Sequence, residues 1–406
     1  MYRFLIWLIG WFIYLRFRVT GDSRGAWWRQ RMDPSPLKWA PDLWIHAVSV
    51  GESQLALALL KTWPSERVMK VLITTTTPSG FELLSQHLTS AQIRPLPLDH
   101  RSKYSQLLNA HPTPNLIVVE TEIWPELYRF IQHRGAKIAI INARLSEKTT
   151  RWRRLPLLRN AMGRVSLICA RSELDAERFK SMGANQPVVT GNIKYDYPRG
   201  HSPPDELVTW LNEDKLVIFA SISADEVAKL VTSAQAALTH GFKVLWVPRH
   251  LDKLPDHLRL LTPLNPQLRS KMANQNSPSR TLVLDSYGEL NGCYAYASLA
   301  VVGGSFIPRG GQNFIESIKV GTPVITGPFT HNFRVDVAEA LAADALVQVQ
   351  NETELRDRIV DLLASPDELC RLGERAASFA HAQQGALART NEHLLNLEII
   401  TPKESS

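Results

Sequence analysis

Short apolar runs rich in β-branched residues punctuate this chain at regular intervals, with helical spacing of apolar positions between them. The first half carries such runs at 43–48, 69–74, 116–119, 137–141, 167–170 and 187–190. A break rich in proline and glycine, Tyr197-Pro-Arg-Gly-His-Ser-Pro-Pro204, closes it. The alternation then restarts with runs at 216–220, 243–247, 281–284, 299–302 and 323–326. Continuous apolar runs, in place of strict alternation, predict strands covered on both faces, and strands alternating with helices predict parallel, doubly wound sheets. The expected architecture is α/β, two Rossmann-like domains facing across a cleft. Within the first domain, which takes up 21–198, a linker at 33–41 precedes the first strand, and the second domain takes up 205–380. A C-terminal helix and polar tail fill 381–406, and no internal repeat interrupts the pattern.

Residues 1–20 follow a different rule. From 4 to 15 the chain is apolar throughout except at Gly10, with Arg3, Arg16 and Arg18 at its flanks. A perpendicular span needs roughly 20 apolar residues, so the run is short for one. Trp7, Trp11 and Tyr14 suit the headgroup region, where arginine side chains snorkel toward water. No small-residue cleavage site follows, so the segment is expected to stay as a membrane-associated helix. The chain's 406 residues exceed what one core supports, in keeping with two domains. Its net charge of +7 is modest, with basic residues bunched near the N-terminus and at 148–159. Such bunching suits an anionic lipid surface or a phosphorylated substrate. Nucleic acid is not an expected partner, because no groove motif interleaves aromatic and basic residues. Cys169, Cys293 and Cys370 lack paired spacing and predict buried thiols in a reducing compartment, with no metal site.

Candidate chemistry sits where strands end. In Trp44-Ile-His-Ala-Val-Ser-Val-Gly-Glu-Ser53 an apolar strand runs through a glycine turn into a helix. That is where open α/β sheets bind ligands. Glu52 falls at the mouth of the expected cleft, and its place in a first helical turn predicts an ionised carboxylate. In Val118-Val-Glu-Thr-Glu-Ile-Trp-Pro125, Glu120 and Glu122 follow another strand; in extended chain both would point the same way. Carboxylates so placed can orient a hydroxyl or a neighbouring catalytic group. Lys194, in Gly191-Asn-Ile-Lys-Tyr-Asp196, reads either as a phosphate contact or as an exposed lysine.

The second half holds an anion-site pattern, Val302-Gly-Gly-Ser-Phe-Ile-Pro-Arg-Gly-Gly-Gln-Asn-Phe-Ile-Glu316. Gly310 and Gly311 would let backbone N–H groups approach a phosphate, with a helix beginning near Asn313 behind them. Glu316 would accept ribose hydroxyls. Arg249, after Pro248, offers a guanidinium suited to phosphate. Asp285-Ser-Tyr-Gly-Glu-Leu290 would line the base or ribose. Ser221 ends the first strand of this half and is a further candidate, while Ser223 and Glu226 fit a capping box.

In this order, HAVSVGE, TTTTPSG (74–80), ETEIWPEL, NARLS (142–146), GNIKYD, VPRH, DSYGEL, VGGSFIPRGGQN and GPFTHNF (327–333) resemble the Kdo transferases of lipopolysaccharide assembly. The likeness runs from about 43 to 335 and implies an inverting, metal-independent glycosyltransferase of GT-B fold. Such an enzyme moves 3-deoxy-D-manno-octulosonic acid (Kdo) from CMP-Kdo to a lipid A precursor (lipid IVA), at the cytoplasmic face of the inner membrane. The resemblance implies an acceptor-binding first domain and a second domain that binds CMP-Kdo. It puts the base on Glu52 and a second essential carboxylate on Glu120. CMP contacts fall on Pro248, Arg249, Tyr287, Gly288, Glu289, Asn313, Phe314, Ile315 and Glu316. CMP-Kdo is the donor substrate and no cofactor is expected. Where the family usually reads His-Asn-Pro-Leu-Glu-Pro this chain has Gln312-Asn-Phe-Ile-Glu-Ser317, and Ser223 stands where a histidine is usual. The alternatives are a GT-B enzyme using another CMP-linked keto-sugar or a different nucleotide sugar, and a non-catalytic lipid-binding paralogue.

Overall fold

The computed structural model describes residues 2–20, 24–63, 70–89, 92–197, 202–212, 215–274 and 279–400. Met69 of an expected strand, linker residues 198–201 and the tail 401–406 lie outside them, as do the side chains of Arg3, Tyr14, Arg18 and Lys148. The chain forms two compact units, Met1–Asp196 with Gly385–Ser406, and Tyr197–Gln384.

The first unit is built on a seven-stranded, all-parallel sheet. Its strands are β1 (Leu43–His46), β2 (Val71–Thr75), β3 (Ile93–Pro95), β4 (Asn115–Val119), β5 (Ile138–Ala143), β6 (Leu167–Ala170) and β7 (Val188–Val189). Their order across the sheet is β3-β2-β1-β4-β5-β6-β7. Every residue of β1, β2, β5 and β6 is buried, as expected when helices cover both faces. On one face Trp44, Leu72, Leu116, Val118, Ile138 and Ile140 join Leu127, Tyr128 and Ile131 in a single core. The chain leaves this unit after Asp196 and returns at Gly385. There both carboxylate oxygens of Asp196 accept, from the N–H groups of Gly385 and Leu387 at 2.6 Å, and so cap the helix Ala386–Asn396.

The second unit repeats the plan with β8 (Leu216–Ile222), β9 (Lys243–Pro248), β10 (Gln267–Leu268), β11 (Thr281–Val283), β12 (Leu299–Val302), β13 (Val324–Thr326) and β14 (Val347–Gln348). Their order is β10-β11-β9-β8-β12-β13-β14, again all parallel. The apolar runs of the sequence correspond to the central strands and their neighbours, and the run at 187–190 to the two-residue edge strand β7. The two- and three-residue strands β3, β10 and β14 have no such run, because pairing with a neighbour, not their composition, defines them.

Two N-terminal helices, α1 (Tyr2–Thr20) and α2 (Arg24–Met32), join the first unit. Gly10 is buried where a Cβ would meet Met32 Sδ at 2.9 Å and Leu98 Cδ2 at 3.0 Å. Trp7, Leu8, Trp11, Phe12 and Leu15 are exposed. Among the described residues no helix is long and apolar enough to cross a membrane. One expectation about thiols fails: Cys169 and Cys293 are buried, but Cys370 is exposed on the helix Pro366–Ala382.

Candidate active site

Each sheet reverses its winding direction at one place, between β1 and β4 in the first unit and between β8 and β12 in the second. The crevice outside the carboxyl ends of such a strand pair is the ligand position of open α/β sheets. Glu52 follows β1 and Glu120 follows β4, so topology brings together two carboxylates far apart in sequence.

Glu52 lies in the first turn of α3 (Val50–Lys61). Gly51, expected to form a turn, is itself inside this helix. Glu52 Oε2 accepts from the Val48 N–H at 2.5 Å, and Oε1 from the Ser49 hydroxyl at 3.3 Å. Those bonds favour the anion, as the helix end was expected to. Burial and the negative Glu120 outweigh them, and the Glu52 pKa is pushed up to about 7. The expectation of a firmly ionised carboxylate is therefore corrected: desolvation wins over the helix terminus.

Glu120 behaves in the opposite way. Burial alone would push its carboxyl up, but Lys194, Arg171 and Arg144 overcome this and hold it below the usual carboxylate range. Lys194 Nζ sits 2.9 Å from Glu120 Oε1, with both side chains mostly buried, so Lys194 is not the exposed lysine of one reading. The loop carrying Lys194 is fastened by Asn142, whose Oδ1 accepts from the Ile193 N–H at 2.9 Å. Glu120 has φ +62°, a left-handed backbone that costs a non-glycine residue ~1–3 kcal/mol. The chain is thus not extended from Glu120 to Glu122, and alternation does not orient the pair. Glu122 nonetheless comes within electrostatic reach of Glu52; burial and that neighbour push its pKa up to about 7, with Arg31 opposing them.

Arg171 and Arg31 had no role in the sequence reading, nor did Arg144 within the NARLS stretch. Two of them had a signal, since Ala143-Arg144 and Ala170-Arg171 each place an arginine directly after a buried strand. Of the basic group expected to meet phosphates, Arg151, Arg153 and Arg154 are exposed on one short turn.

The second crevice is made largely of backbone. Ser221, in β8, has φ +54° beside an irregularity in the β8–β9 pairing. Gly303 follows β12 so closely packed that a Cβ there would fall 2.6 Å from Ser221 O and 2.8 Å from Ile222 Cα. Glu226 is fully buried and accepts N–H groups from Ser223 (3.0 Å), Gly304 (2.7 Å) and Phe306 (3.0 Å). The cap expected from Ser223 and Glu226 is therefore also the fastener of the glycine loop. Gly310 and Gly311 have φ +92° and +80°. However, the N–H groups of Gly311 and Gln312 donate to the carbonyls of Gly304 (2.8 Å) and Gly303 (3.0 Å), so they stabilise the turn itself. The expected helix is a single turn, Ile315–Ile318, too short for a strong dipole. Phe314 and Ile315 bury their side chains, leaving only backbone for a ligand. Asn313 Oδ1 accepts from the Ile315 N–H at 3.2 Å, while its Nδ2 donates to Glu316 Oε1 at 3.1 Å.

Arg249 follows β9, exposed, with its guanidinium unpaired among the described residues, while Pro248 is buried. Tyr287 is 73% exposed and its hydroxyl accepts from the Leu251 N–H at 3.4 Å. Gly288, at φ +90°, leads to Glu289, whose Oε2 accepts from the Ser286 hydroxyl at 2.7 Å and faces Arg269 Nε at 3.6 Å. Among the described residues no group of three or more His, Cys, Asp or Glu side chains is placed to hold a metal ion.

Comparison with known proteins fits this frame. Residues 25–197 match the family model described as 3-Deoxy-D-manno-octulosonic-acid transferase (kdotransferase). The 3-deoxy-D-manno-octulosonic acid transferase of Bordetella pertussis is 30% identical over 380 residues, 89% of this chain and 88% of that one. Its Haemophilus influenzae namesake is 28% identical over 362 residues, 86% and 85% of the two chains. Among solved structures, Anabaena HepE in complex with UDP superposes with a TM-score of 0.60 at 15% identity, covering 88% of this chain and 99% of that one. At that identity the likeness speaks for the fold alone, two parallel-sheet α/β units of GT-B type. The chain belongs to the 3-deoxy-D-manno-octulosonic acid (Kdo) transferase family of glycosyltransferases.

Proposed function

We propose that this enzyme transfers Kdo from CMP-Kdo to a lipid A precursor, lipid IVA, with inversion, at the cytoplasmic face of the inner membrane. The observation that carries the reading is Glu52, at the strand reversal of the first sheet, its pKa raised to about 7 beside an ionised Glu120. A base poised near the working pH is partly deprotonated yet basic enough to take a proton. Glu52 removes the proton of a glucosamine hydroxyl on the acceptor. The hydroxyl oxygen bonds to the anomeric carbon of Kdo while the bond from that carbon to the phosphate oxygen breaks, its electron pair leaving with CMP. Glu120, held anionic by Lys194, positions the hydroxyl or the base.

The donor is assigned to the second unit. Arg249 meets the phosphate, Tyr287, Gly288 and Glu289 line the nucleoside, and Asn313 and Glu316 address the ribose, with the Gly310–Gly311 turn shaping the pocket. Ser221, at its strained position, is a further contact. A monophosphate leaving group needs less charge neutralisation than a diphosphate, so the reading invokes arginine and no metal. The lipid-borne acceptor is assigned to the first unit, with Arg151, Arg153 and Arg154 meeting its phosphates and the N-terminal helix on the membrane surface.

The test is mass spectrometry of products from the purified chain, lipid IVA and CMP-Kdo, beside a panel of other nucleotide sugars. Added Kdo with CMP-Kdo alone is expected, and mass counts the residues transferred. Product only from another donor would overturn the donor assignment.

A further inference from the structure

The N-terminal helix presents an apolar stripe at Trp7, Trp11 and Leu15, and at Leu8 and Phe12, positions that share one helical face. All five are exposed, Phe12 to 70%. Gly10, on the packed side, lets α1 approach Met32 and Leu98. Neither α1 nor α2 contains an acidic residue; Arg16 is exposed on the same helix as the stripe, and Arg29 is exposed on α2. Apolar aromatic surface on helices that carry basic and no acidic residues fits a bilayer with anionic headgroups.

The same helix is tied to the candidate active site through one buried carboxylate. Tyr2, in the first turn of α1, donates its hydroxyl to Asp99 Oδ2 at 2.7 Å, and Asp99 is 1% exposed. The Tyr104 hydroxyl donates to Oδ1 at 2.7 Å. Asp99 also accepts the N–H groups of Glu126 (3.2 Å) and Leu127 (2.9 Å), the first turn of the helix Pro125–His133. The residue at the cap position, Trp124, supplies no side-chain bond, so Asp99 caps this helix from another segment. The loop entering the helix carries Glu120 and Glu122, and the Tyr128 hydroxyl donates to the Glu122 carbonyl. Hydrogen bonds at either end of the first turn of this helix therefore link α1, through the helix backbone, to the carboxylate loop.

We propose that the Tyr2–Asp99 hydrogen bond is a latch by which a bilayer surface, in seating α1, holds the Glu120–Glu122 loop in its working form. This rests on the reading of the chain as a transferase acting at a lipid surface. Asp99 is a positioning residue that acts through the first turn of the helix Pro125–His133.

The experiment uses the full chain with vesicles of phosphatidylethanolamine and phosphatidylglycerol. Two readouts are taken: amide hydrogen exchange at Glu126 and Leu127, and turnover of a water-soluble, acyl-free acceptor. Vesicles are expected to slow the exchange and raise the turnover by at least about fivefold, the lower range of a coupling between sites. Tyr2→Phe should sediment with vesicles as wild type does yet show neither response. Tyr104→Phe, which leaves α1 untouched, should keep both. Equal responses in wild type and Tyr2→Phe would overturn the latch, as would vesicle-bound wild type with unchanged exchange. A chain that dimerises through α1 and ignores vesicles would overturn it too. An intact exchange response without turnover from any donor would instead sink the transferase reading and leave the latch standing.

Discussion

The two strand reversals share a topology and differ in what they are made of. The first is lined by charge: Glu52 and Glu122 are pushed up to about 7 while Glu120 is held down by Lys194, Arg171 and Arg144. The second is lined by backbone, with Gly303 touching β8, three left-handed glycines at 304, 310 and 311, and a buried Glu226 that accepts N–H groups of the loop at Gly304 and Phe306. Moving a proton requires titratable groups whose neighbours drive their pKa values apart. Holding a nucleotide requires close approach and a fixed shape, which small residues and spent hydrogen bonds provide. On the function proposed above, one scaffold thus supports two kinds of site because strand ends converge in both, and the loops that follow them differ.

The comparison is tested most severely at Glu52. Glu52→Gln should lower kcat at least ~100-fold, the low end for a positioned base. Its affinity for CMP, measured by calorimetry, should stay at the wild-type value; a loss of CMP binding with kcat intact would break the division between the units.

A pair of glycines gives the next effect. Gly303→Ala forces a methyl against Ser221 O and Ile222 Cα and should cost about 1–3 kcal/mol in urea unfolding, with weaker CMP binding. A methyl at Gly51 meets nothing within 4 Å and the residue is helical. Gly51→Ala should therefore be neutral or stabilising by up to ~1 kcal/mol.

The electrostatic half is sharpened by pH. Activity should rise through about pH 7 as Glu52 loses its proton. Glu120→Gln removes the negative neighbour that helps raise Glu52, so among whatever activity remains this limb of kcat/KM should move to lower pH. A limb that stays in place would assign the titration to another group.

The smallest effect is on stability. Folded Glu52 and Glu122 titrate near 7 against an ordinary value of 4.5. Between those values the folded chain binds more protons than the unfolded one, so their contribution to stability falls as pH rises through that window. Glu122→Gln should accordingly raise Tm at about pH 8 and not at about pH 4, by up to ~2–4 °C if about 1 kcal/mol is recovered in a domain of this size. An equal gain at both pH values would point to packing in place of charge.

By itself the sequence determined the parallel α/β plan, the long central strands and the positions of Glu52, Glu120, Arg249 and the glycine turns. These follow from local rules: buried strands must be apolar, and the residues after them must turn. Tertiary structure alone decided the rest. The Glu52 pKa is pushed up to about 7 because burial and Glu120, far away in sequence, act on it together. Lys194 neutralises Glu120, Asp99 caps a helix that Trp124 cannot, and the chain re-enters its first unit at Gly385. Periodicity reports which face of an element is covered, whereas a pKa or a cap from another segment depends on which strand ends meet, and only the order of strands in the folded sheet settles that.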